Sequence, residues 1–209
     1  MGKYRGSRCR LCRREGVKLF LKGERCFSEK CSFSKRPSPP GVHGTKDMKA
    51  SYYALQLREK QKVKRMYGML ERQFKRFFRL ASRSKGVTGR VLLQLLERRL
   101  DNVIYRGLFA VSRPEARQIV RHGFVLINGK KVDIPSYLVE EGGVIEIKGD
   151  ERIRKRIERN VEINSKSRSV CGWLDVDKEN LRIKVLRLSE KEDLPIAINE
   201  QLIVELYSK

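Results

Sequence analysis

The sequence has no run of about eighteen apolar residues, the length that a helix would need to span a bilayer. Its beginning lacks the apolar core of a signal peptide, and Gly6 stands where N-myristoylation would require serine or threonine. The glycine-containing junction at residues 83–89 lacks the pattern of a phosphate-binding P-loop. Histidine is scarce, with only His43 and His122, so imidazole chemistry has little support. We therefore expect a cytosolic protein with no membrane partner.

Acidic residues are too few to balance the basic ones. The 209 residues include 25 Asp and Glu against 48 Lys and Arg, which gives a formal net charge of +23. The excess is uneven, because residues 1–50 carry a net +10 and residues 51–100 a net +11, whereas residues 101–150 are neutral. This balance predicts a polyanion partner. We expect the N-terminal half to be a main contact surface, whose helical charges are neutralised by RNA phosphates.

Two short-spaced cysteine pairs, Cys9-x2-Cys12 and Cys26-x4-Cys31, are separated by thirteen residues. This spacing is typical of a structural, tetrahedral Zn²⁺ site, with an iron–sulfur cluster or unliganded thiols as the alternatives. In the reducing cytosol a disulfide framework is not expected. Basic residues surround both pairs and are expected to lower the pKa values of the thiols. Cys171 is left over, and we interpret it as a small buried hydrophobe.

Residues 46–81 have the pattern of strongly basic helices, with Gly68 between two of them. Phe74, Phe77 and Phe78 stand at i, i+3 and i+4, a spacing that predicts a core face rather than a platform for stacked bases. A loop rich in proline and glycine precedes these helices. It contains His43, which either contacts a nucleotide or is simply solvated.

Residues 112–131 predict a helix followed by a hairpin. Ser112 and Glu115 have the spacing of a capping box, in which each side chain would bond the backbone of the other. Gly123 stands where a left-handed residue would end the helix. Asn128-Gly129 is the strongest short-range signal for a two-residue hairpin turn.

Three arginines at i, i+4 and i+8 follow one face of this helix: Arg113, Arg117 and Arg121. We interpret the stripe either as an anion-binding surface, extended by Lys130 and Lys131, or as a solvated basic face. A partner helix is predicted upstream over residues 91–104. Downstream, apolar residues within 134–139 and a Gly142-Gly143 turn precede a strand that is predicted over residues 144–148.

The C-terminal part predicts a capped helix, a hairpin and a short last element. Asp150 is placed to cap the helix. Residues 173–176 and 181–186 flank a polar turn and should pair with each other. Residues 199–207 predict a short helix, with a strand as the alternative, that packs back onto the N-terminal helices.

Several segments of the helix–hairpin region carry a resemblance to a known family: Leu100-Asp101-Asn102-Val103, Ser112-Arg113, Ala116-Arg117, Val120-Arg121-His122-Gly123 and Ile127-Asn128-Gly129-Lys130-Lys131-Val132. They resemble the small RNA-binding module named after ribosomal small-subunit protein four. The same module is found in some pseudouridine synthases, tyrosyl-tRNA synthetases and heat-shock RNA-binding proteins. The module alone therefore does not distinguish among these classes of protein, and the surrounding sequence must be considered.

Further segments extend the resemblance over the whole chain: Pro39-Pro40-Gly41-Val42-His43-Gly44, Leu57-Arg58-Glu59-Lys60-Gln61-Lys62, Glu71-Arg72-Gln73-Phe74 and Asn199-Glu200-Gln201-Leu202. With the cysteine-rich start, they resemble the bacterial-type ribosomal small-subunit protein four family in its cysteine-bearing, zinc-binding form. The resemblance implies direct binding to the 5′ domain of small-subunit rRNA early in assembly. It also implies contact with ribosomal protein five, a place beside the channel through which mRNA enters, and an influence on decoding accuracy.

An enzyme is the main alternative, because Arg98-Arg99-Leu100-Asp101 superficially resembles the aspartate motif of pseudouridine synthases. However, Asp101 lies within the first helix of the module, and the 60 residues after the module are too few for a separate catalytic domain. A stress or tRNA-binding chaperone with the same module is the other alternative, and it would not need the four-cysteine segment. We therefore predict a ribosomal protein that is not an enzyme.

The predicted fold class is α+β: a mainly helical N-terminal domain with a metal-bound segment of four cysteines, a helix-helix-β RNA-binding module, and a C-terminal hairpin and tail. The predicted parts are residues 1–45, residues 46–89 with 187–209 packing back, and residues 90–186 with the module core at 98–149. The predicted metal ligands are Cys9, Cys12, Cys26 and Cys31. The predicted RNA-binding residues are Arg8, Arg13, Lys22, Arg25, Arg36, His43, Arg58, Lys62, Arg65, Arg72, Lys75, Arg76, Lys85, Arg113, Arg117, Arg121, His122, Asn128, Lys130 and Lys131.

Overall fold

The computed structural model describes residues 4–42, 44 and 51–208. Its helices are α1 (Cys9–Glu15), α2 (Ser32–Lys35), α3 (Tyr52–Met66), α4 (Glu71–Arg83), α5 (Thr88–Glu97), α6 (Leu100–Arg106), α7 (Arg113–Arg121), α8 (Glu151–Ser165) and α9 (Glu200–Tyr207). Its strands are β1 (Val125–Ile127), β2 (Lys130–Lys131), β3 (Val144–Ile147), β4 (Leu174–Asp177) and β5 (Arg182–Val185). This combination of helices with a small antiparallel sheet confirms the predicted α+β class. Within the described ranges, no helix is both long enough and apolar enough to cross a bilayer.

The chain divides into two compact units. The first unit comprises the residues up to Leu93 together with those from Pro195 onward, and the second unit is Gln94–Leu194. The cysteine-rich segment, the basic helices α3 and α4, and the last helix α9 belong to the first unit. The predicted three-part division has other boundaries and stays a prediction.

Helices α3 and α4 form the frame of the first unit. Gly68 separates them in the left-handed conformation, with φ of 64°, as the sequence predicts. Phe74 and Phe77 are buried on α4. The ring of Phe78 stacks on that of Tyr207 at 4.5 Å between centroids. Phe74 and Phe77 are therefore core residues and Phe78 is half-buried against Tyr207, which confirms that this face of α4 packs inward and offers no platform for bases.

Helix α9 packs along α3, and residues 200–207 are helical rather than extended. The backbone N–H of Asn199 donates to Glu59 Oε1 on α3 at 2.8 Å. At the other end of α9, the Tyr207 hydroxyl donates to Glu71 Oε1 at 2.8 Å. The last helix is thus joined to both basic helices.

The second unit contains a five-stranded antiparallel sheet in the order β2-β1-β3-β5-β4. Val176 pairs with Ile183 in the C-terminal hairpin, which confirms the predicted pairing. The hairpin is not separate from the module, because Ile145 of β3 pairs with Ile183 of β5. The sequence predicts the two as successive elements, and the structure joins them in one sheet.

A single apolar core fixes the helices of this unit against its sheet. Val120 of α7, Ile157 of α8, Ile145 of β3 and Trp173 are all fully buried in it. Each fully buried side chain of this size contributes about 1.5–3 kcal/mol. The core therefore sets the position of α7 and of the hairpin that follows it.

The apolar residues within 134–139 form no named strand. Apart from one isolated bridge, between Leu138 and Arg99, this segment pairs with a chain connection rather than with a strand. The Tyr137 carbonyl accepts from Leu100 N at 2.9 Å and the Pro135 carbonyl accepts from Asp101 N at 3.2 Å. Proline has no N–H to give to a sheet, so the apolar pattern here serves to hold the start of α6.

The two ends of α7 differ in how well the sequence predicted them. Glu115 Oε2 accepts from Val111 N at 2.9 Å, one residue before the Ser112 position that a capping box requires. Gly123 ends the helix with φ of 74°, and a Cβ there would overlap the Lys131 side chain. The next turn is as predicted, since Asn128 and the glycine after it both have positive φ.

Candidate nucleic-acid interface

Helix α4 presents a continuous basic stripe to solvent. The members stand at i, i+3, i+4, i+7 and i+11 and are all exposed: Arg72, Lys75, Arg76, Arg79 and Arg83. Phe74, Phe77 and Ala81 bury the opposite face, so the helix cannot turn the stripe inward. In the part of the chain that the structure describes, none of the five has an ion pair or hydrogen bond to the protein. Neighbouring like charges repel, so the stripe is suited to an external polyanion.

The predicted RNA-binding set covers only part of this surface. It included Arg72, Lys75 and Arg76 but omitted Arg79 and Arg83. Both omitted arginines lie on the same face as Arg72. Extending the helical spacing of the predicted set would have found them.

The basic residues of α3 are engaged within the protein instead. Arg58 lies 3.2 Å from Glu15 Oε1, and Arg65 pairs with the same oxygen. Lys62 pairs with Glu59 at 2.7 Å. The Glu15 side chain is only 1% exposed, and burial raises the pKa of its carboxyl while Arg65 and Arg58 oppose the rise. Three predicted RNA-binding residues therefore hold the first unit together, and they present less unneutralised charge than the α4 stripe.

Glu71 likewise forms ion pairs with two lysines of α3. Lys60 and Lys64 of α3 lie 2.9 Å and 2.8 Å from its carboxylate oxygens. Partial burial opposes ionisation, but hydrogen bonds from Lys64, Lys60 and Tyr207 lower the pKa of Glu71 to about 2. Burial and the same carboxylate raise the pKa of Tyr207. Acidic side chains of this unit thus neutralise basic residues of α3 and form no ion pair with the α4 stripe in the described residues.

The predicted residues of the N-terminal segment fall into two groups. Three donate to backbone carbonyl oxygens at 2.8–3.2 Å: Arg8, Arg13 and Arg25. Lys22 and Arg36 are exposed, as is Lys85 after α4, and their side chains have no partner among the described residues. His43 lies outside the described residues.

Arg113 corrects the predicted three-arginine stripe of α7. Its side chain is buried, and its Nε donates to Asn102 Oδ1 at 2.9 Å. The guanidinium also lies 4.5 Å from the centroid of the Tyr105 ring. The prediction of a surface role for Arg113 is wrong, because α6 supplies an acceptor and an aromatic face that draw the side chain inward.

Arg117 is half-buried and lies 3.8 Å from Asp101 Oδ2. Burial lowers the pKa of its guanidinium, Asp101 opposes the change, and nearby arginines reinforce it. Asp101 in turn accepts from Arg99 at 2.9 Å and 3.1 Å. The aspartate of the enzyme-like motif is therefore an internal ion-pair partner.

The exposed predicted residues of the module lie where α7 ends and the hairpin turns: the cations Arg121, Lys130 and Lys131, and the imidazole of His122. The Lys131 side chain lies over Gly123 and so joins the hairpin to the helix end. Asn128 has a structural part, since its Oδ1 accepts from Val144 N at 2.9 Å. We name the surface formed by Arg121, His122, Lys130 and Lys131 the hairpin patch. It contains fewer cations than the α4 stripe.

The second unit contains a buried polar network that the sequence did not predict. Glu97 is 1% exposed and accepts from Arg106 at 2.8 Å and 2.9 Å and from Asn102 Nδ2 at 2.9 Å. Asn102 then accepts from Arg113, so the network reaches the first turn of α7. Its members are charged residues and one amide, Asn102, all buried, and sequence periodicity provides no signal for such a network.

The four N-terminal cysteines form a group whose chemistry suits a metal. Three of them are buried, and the Cys12 thiol lies close enough to the others for their charges to act on it. Lys22 N donates to Cys26 Sγ at 3.3 Å, and backbone N–H groups of Phe33 and Ser34 donate to Cys31. Such N–H···S bonds stabilise a thiolate.

The geometry of the thiols does not by itself close a metal site. Within the described residues, no group of three or more histidine, cysteine or acidic side chains is arranged to hold a metal ion. Burial raises the pKa values of Cys12 and Cys26, contrary to the lowering expected from nearby cations. For Cys31, burial is outweighed by hydrogen bonds from Ser34 and Phe33, which lower its pKa. Burial also raises the pKa of Cys171. Four cysteine sulfurs are ligands of the type that zinc prefers. The thiols must lose their protons before a zinc ion can bind to them.

Two family models match consecutive parts of the chain. The ribosomal protein S4/S9 N-terminal domain matches residues 3–97, and the S4 domain matches residues 98–145. Small ribosomal subunit protein uS4A of Symbiobacterium thermophilum is 57% identical over 209 residues, which cover 100% of both chains. The uS4 proteins of Thermodesulfovibrio yellowstonii and Thermus thermophilus are 56% and 55% identical, again over 100% of both chains. The chain belongs to the uS4 family.

Membership of the uS4 family confirms the resemblance to ribosomal small-subunit protein four, whereas the zinc-binding form stays a prediction. The border between the two matched models, at residues 97 and 98, lies close to the border between the two compact units, at residues 93 and 94. The relatives named above are ribosomal proteins, a structural rather than an enzymatic class. In this uS4 chain the α4 stripe lies within the N-terminal family domain and the hairpin patch lies within the S4 domain.

Proposed function

We propose that this uS4-family chain is a structural component of the small ribosomal subunit, in the cytoplasm, that binds the 5′ domain of small-subunit rRNA directly and nucleates assembly. The observation that carries the proposal is the α4 stripe, whose five exposed cations have no acceptor in the described protein. Its family membership and the names of its relatives support the placement in the ribosome.

Recognition is expected to rely on shape and phosphate contact. A-form RNA hides its base edges in a narrow major groove, so proteins contact backbone, 2′-hydroxyls and junctions. The stripe runs from Arg72 to Arg83, an axial rise of about 16 Å along a rigid helix. Four of its five cations are arginines, whose guanidinium groups bind phosphates through paired N–H donors and are regularly spaced along the helix. The hairpin patch adds a second, local contact from the S4 domain.

The N-terminal segment is proposed to hold Zn²⁺ through Cys9, Cys12, Cys26 and Cys31. Four thiolates would bind the ion in a closed, structural site that links two short chain segments. An iron–sulfur cluster is the alternative for the same four ligands. Bound metal would stabilise a segment that has few apolar residues of its own.

Further partners are proposed on the family resemblance alone. They are ribosomal protein five of the small subunit and mRNA beside the channel through which it enters. Through these contacts the protein would influence mRNA entrance and decoding accuracy.

The proposal is tested by binding of the full-length protein to a 5′-domain transcript over a series of salt concentrations. Replacing Arg76→Gln together with Arg79→Gln removes two cations of the stripe. If each neutralises one phosphate, the slope of log affinity against log salt falls by about 1.4–1.8, and affinity falls about tenfold at moderate salt. The matched control is Lys166→Gln with Lys178→Gln, two exposed lysines outside both basic surfaces.

Two results would contradict the proposal. One is an unmodified protein that binds an unrelated transcript of equal length as tightly as the 5′ domain. The other is a control pair that loses as much slope as the α4 pair, because net charge and not the stripe would then explain the loss.

A further inference from the structure

Helix α8 is held against the second unit by one face, which fixes the direction of the other. Ile157 and Val161 are buried in the core. Asn160 Nδ2 donates to the Phe109 carbonyl at 3.1 Å, and Asn164 Nδ2 donates to the Leu108 carbonyl at 2.7 Å. These two buried amides satisfy carbonyls of the connection between α6 and α7. Rotation of α8 about its axis would break both bonds.

The outward face of α8 repeats the spacing of the α4 stripe. Its basic members stand at i, i+3, i+4 and i+7 and are all exposed: Arg152, Lys155, Arg156 and Arg159. They extend over about 10 Å of helix. We name them the α8 stripe. No residue of this stripe was among the RNA-binding candidates from the sequence.

Half of the α8 stripe is neutralised within the protein. Lys155 lies 2.6 Å from Glu151, and Arg156 lies 2.7 Å from Glu115. Arg152 and Arg159 have no acceptor anywhere in the described ranges. Two guanidinium groups, about two helical turns apart, are therefore available to an external anion.

The composition of this face favours a nucleic acid over a protein. Every exposed residue of α8 is charged or polar. Protein interfaces are centred on apolar and aromatic anchors that lose contact with water, and this face has none. Phosphates need no such anchor, and arginine binds them through paired N–H donors.

We propose that the α8 stripe is a further RNA-backbone contact, beside the α4 stripe and the hairpin patch, in which Arg152 and Arg159 each bind a phosphate. The inference rests on the proposed rRNA function and adds a surface to it. Arg156 stays with Glu115 and positions the helix relative to the start of α7. Contact through α8 would anchor the second unit independently of the α4 stripe.

The test uses the full-length protein with Arg152→Gln and Arg159→Gln, titrated with the 5′-domain transcript at several salt concentrations. The slope of log affinity against log salt is expected to fall by about 1.4–1.8, and affinity about tenfold. The pair Lys166→Gln and Lys178→Gln serves as the two-charge control, since Lys166 lies just beyond α8 and pairs with Glu162 at 3.2 Å. Glu158→Gln, which removes an exposed acid beside the stripe, is expected to tighten binding slightly.

The outcomes separate this inference from the function on which it rests. If the unmodified protein shows no preference for the transcript, the proposed function fails. If it shows the preference and the α4 variant weakens it, but the α8 variant behaves like the control, only the α8 contact is wrong. A variant that binds free rRNA normally but is lost from assembled subunits would assign the stripe to a protein partner and overturn the inference as well.

Discussion

Replacing Glu97 by glutamine should unfold the second unit far more easily than its small change in size suggests. Glu97 is 1% exposed and is the acceptor for both Nε and Nη2 of Arg106, whose side chain is 8% exposed. Glutamine keeps one acceptor and places an amide NH2 where the second oxygen stood. The variant therefore leaves a buried guanidinium partly unpaired and sets donor against donor.

The size of the effect follows from the burial of the pair. Removing one partner of a buried ion pair typically costs about 3–5 kcal/mol, because the other charge stays desolvated without compensation. The remaining oxygen of glutamine can still accept from Arg106 Nε and Asn102 Nδ2, so we expect the lower end, about 3 kcal/mol. In a chain of this size, that corresponds to a fall in Tm of about 6–12 °C.

The single tryptophan provides an assay that is specific for this unit. Trp173 is fully buried in the core of the second unit, so its fluorescence in urea reports unfolding there. Glu162→Gln is the matched control, since Glu162 and Lys166 pair on the surface with side chains 71% and 74% exposed. An exposed pair of this kind contributes at most about 0.5 kcal/mol.

A comparison of the two variants decides the matter. If Glu97→Gln shifts the tryptophan transition no more than Glu162→Gln does, the buried network does not stabilise the unit and the reasoning is refuted. A shift of the expected size that is accompanied by weaker binding at the hairpin patch would show that the network also positions α7.

Two further predictions concern the first unit. Because the folded-state pKa of Glu71 is about 2 against an ordinary value of 4.5, its contribution is present above pH 4.5 and is lost as pH falls towards 2. Its side chain is 46% exposed, so solvent screening reduces the contribution to about 1 kcal/mol. Urea unfolding at several pH values should show this loss of stability in the wild type and not in Glu71→Gln. Equal pH profiles of the two proteins would contradict the prediction. Metal analysis should find one zinc per chain, and verified removal by a chelator should lower rRNA affinity more than Arg117→Ala does; iron with sulfide would favour the cluster, and unchanged affinity after metal loss would contradict the ordering.

The distribution of acids explains why two equally basic helices differ in availability. Glu15, Glu59 and Glu71 all direct their carboxylates to α3. Helix α4 receives none of them on its outward stripe. Net charge alone would rank the two helices together, whereas their pairing assigns α3 to structure and α4 to the partner.

Much of the architecture was predictable because its causes are local. Gly68, Gly123 and the Asn128 turn adopt the positive φ that their residue types favour, and they divide the chain where the sequence indicated. The phenylalanine spacing on α4 identified its buried face, and the same spacing, carried one turn further, locates the whole stripe. These features depend on residues at most a few positions apart, so the amino-acid order alone determines them.

Tertiary structure decided the features that depend on distant partners. Arg113 turned inward because Asn102 and Tyr105 of α6 face it, and Arg65 is engaged because Glu15, fifty positions earlier, lies beside it. The C-terminal hairpin joined the module sheet because β5 found β3 as its neighbour. Charge and periodicity determine which side chains are basic and which face of a helix is apolar. Whether a cation is neutralised depends on which acid the fold brings within a few ångströms, and that is a property of long-range packing.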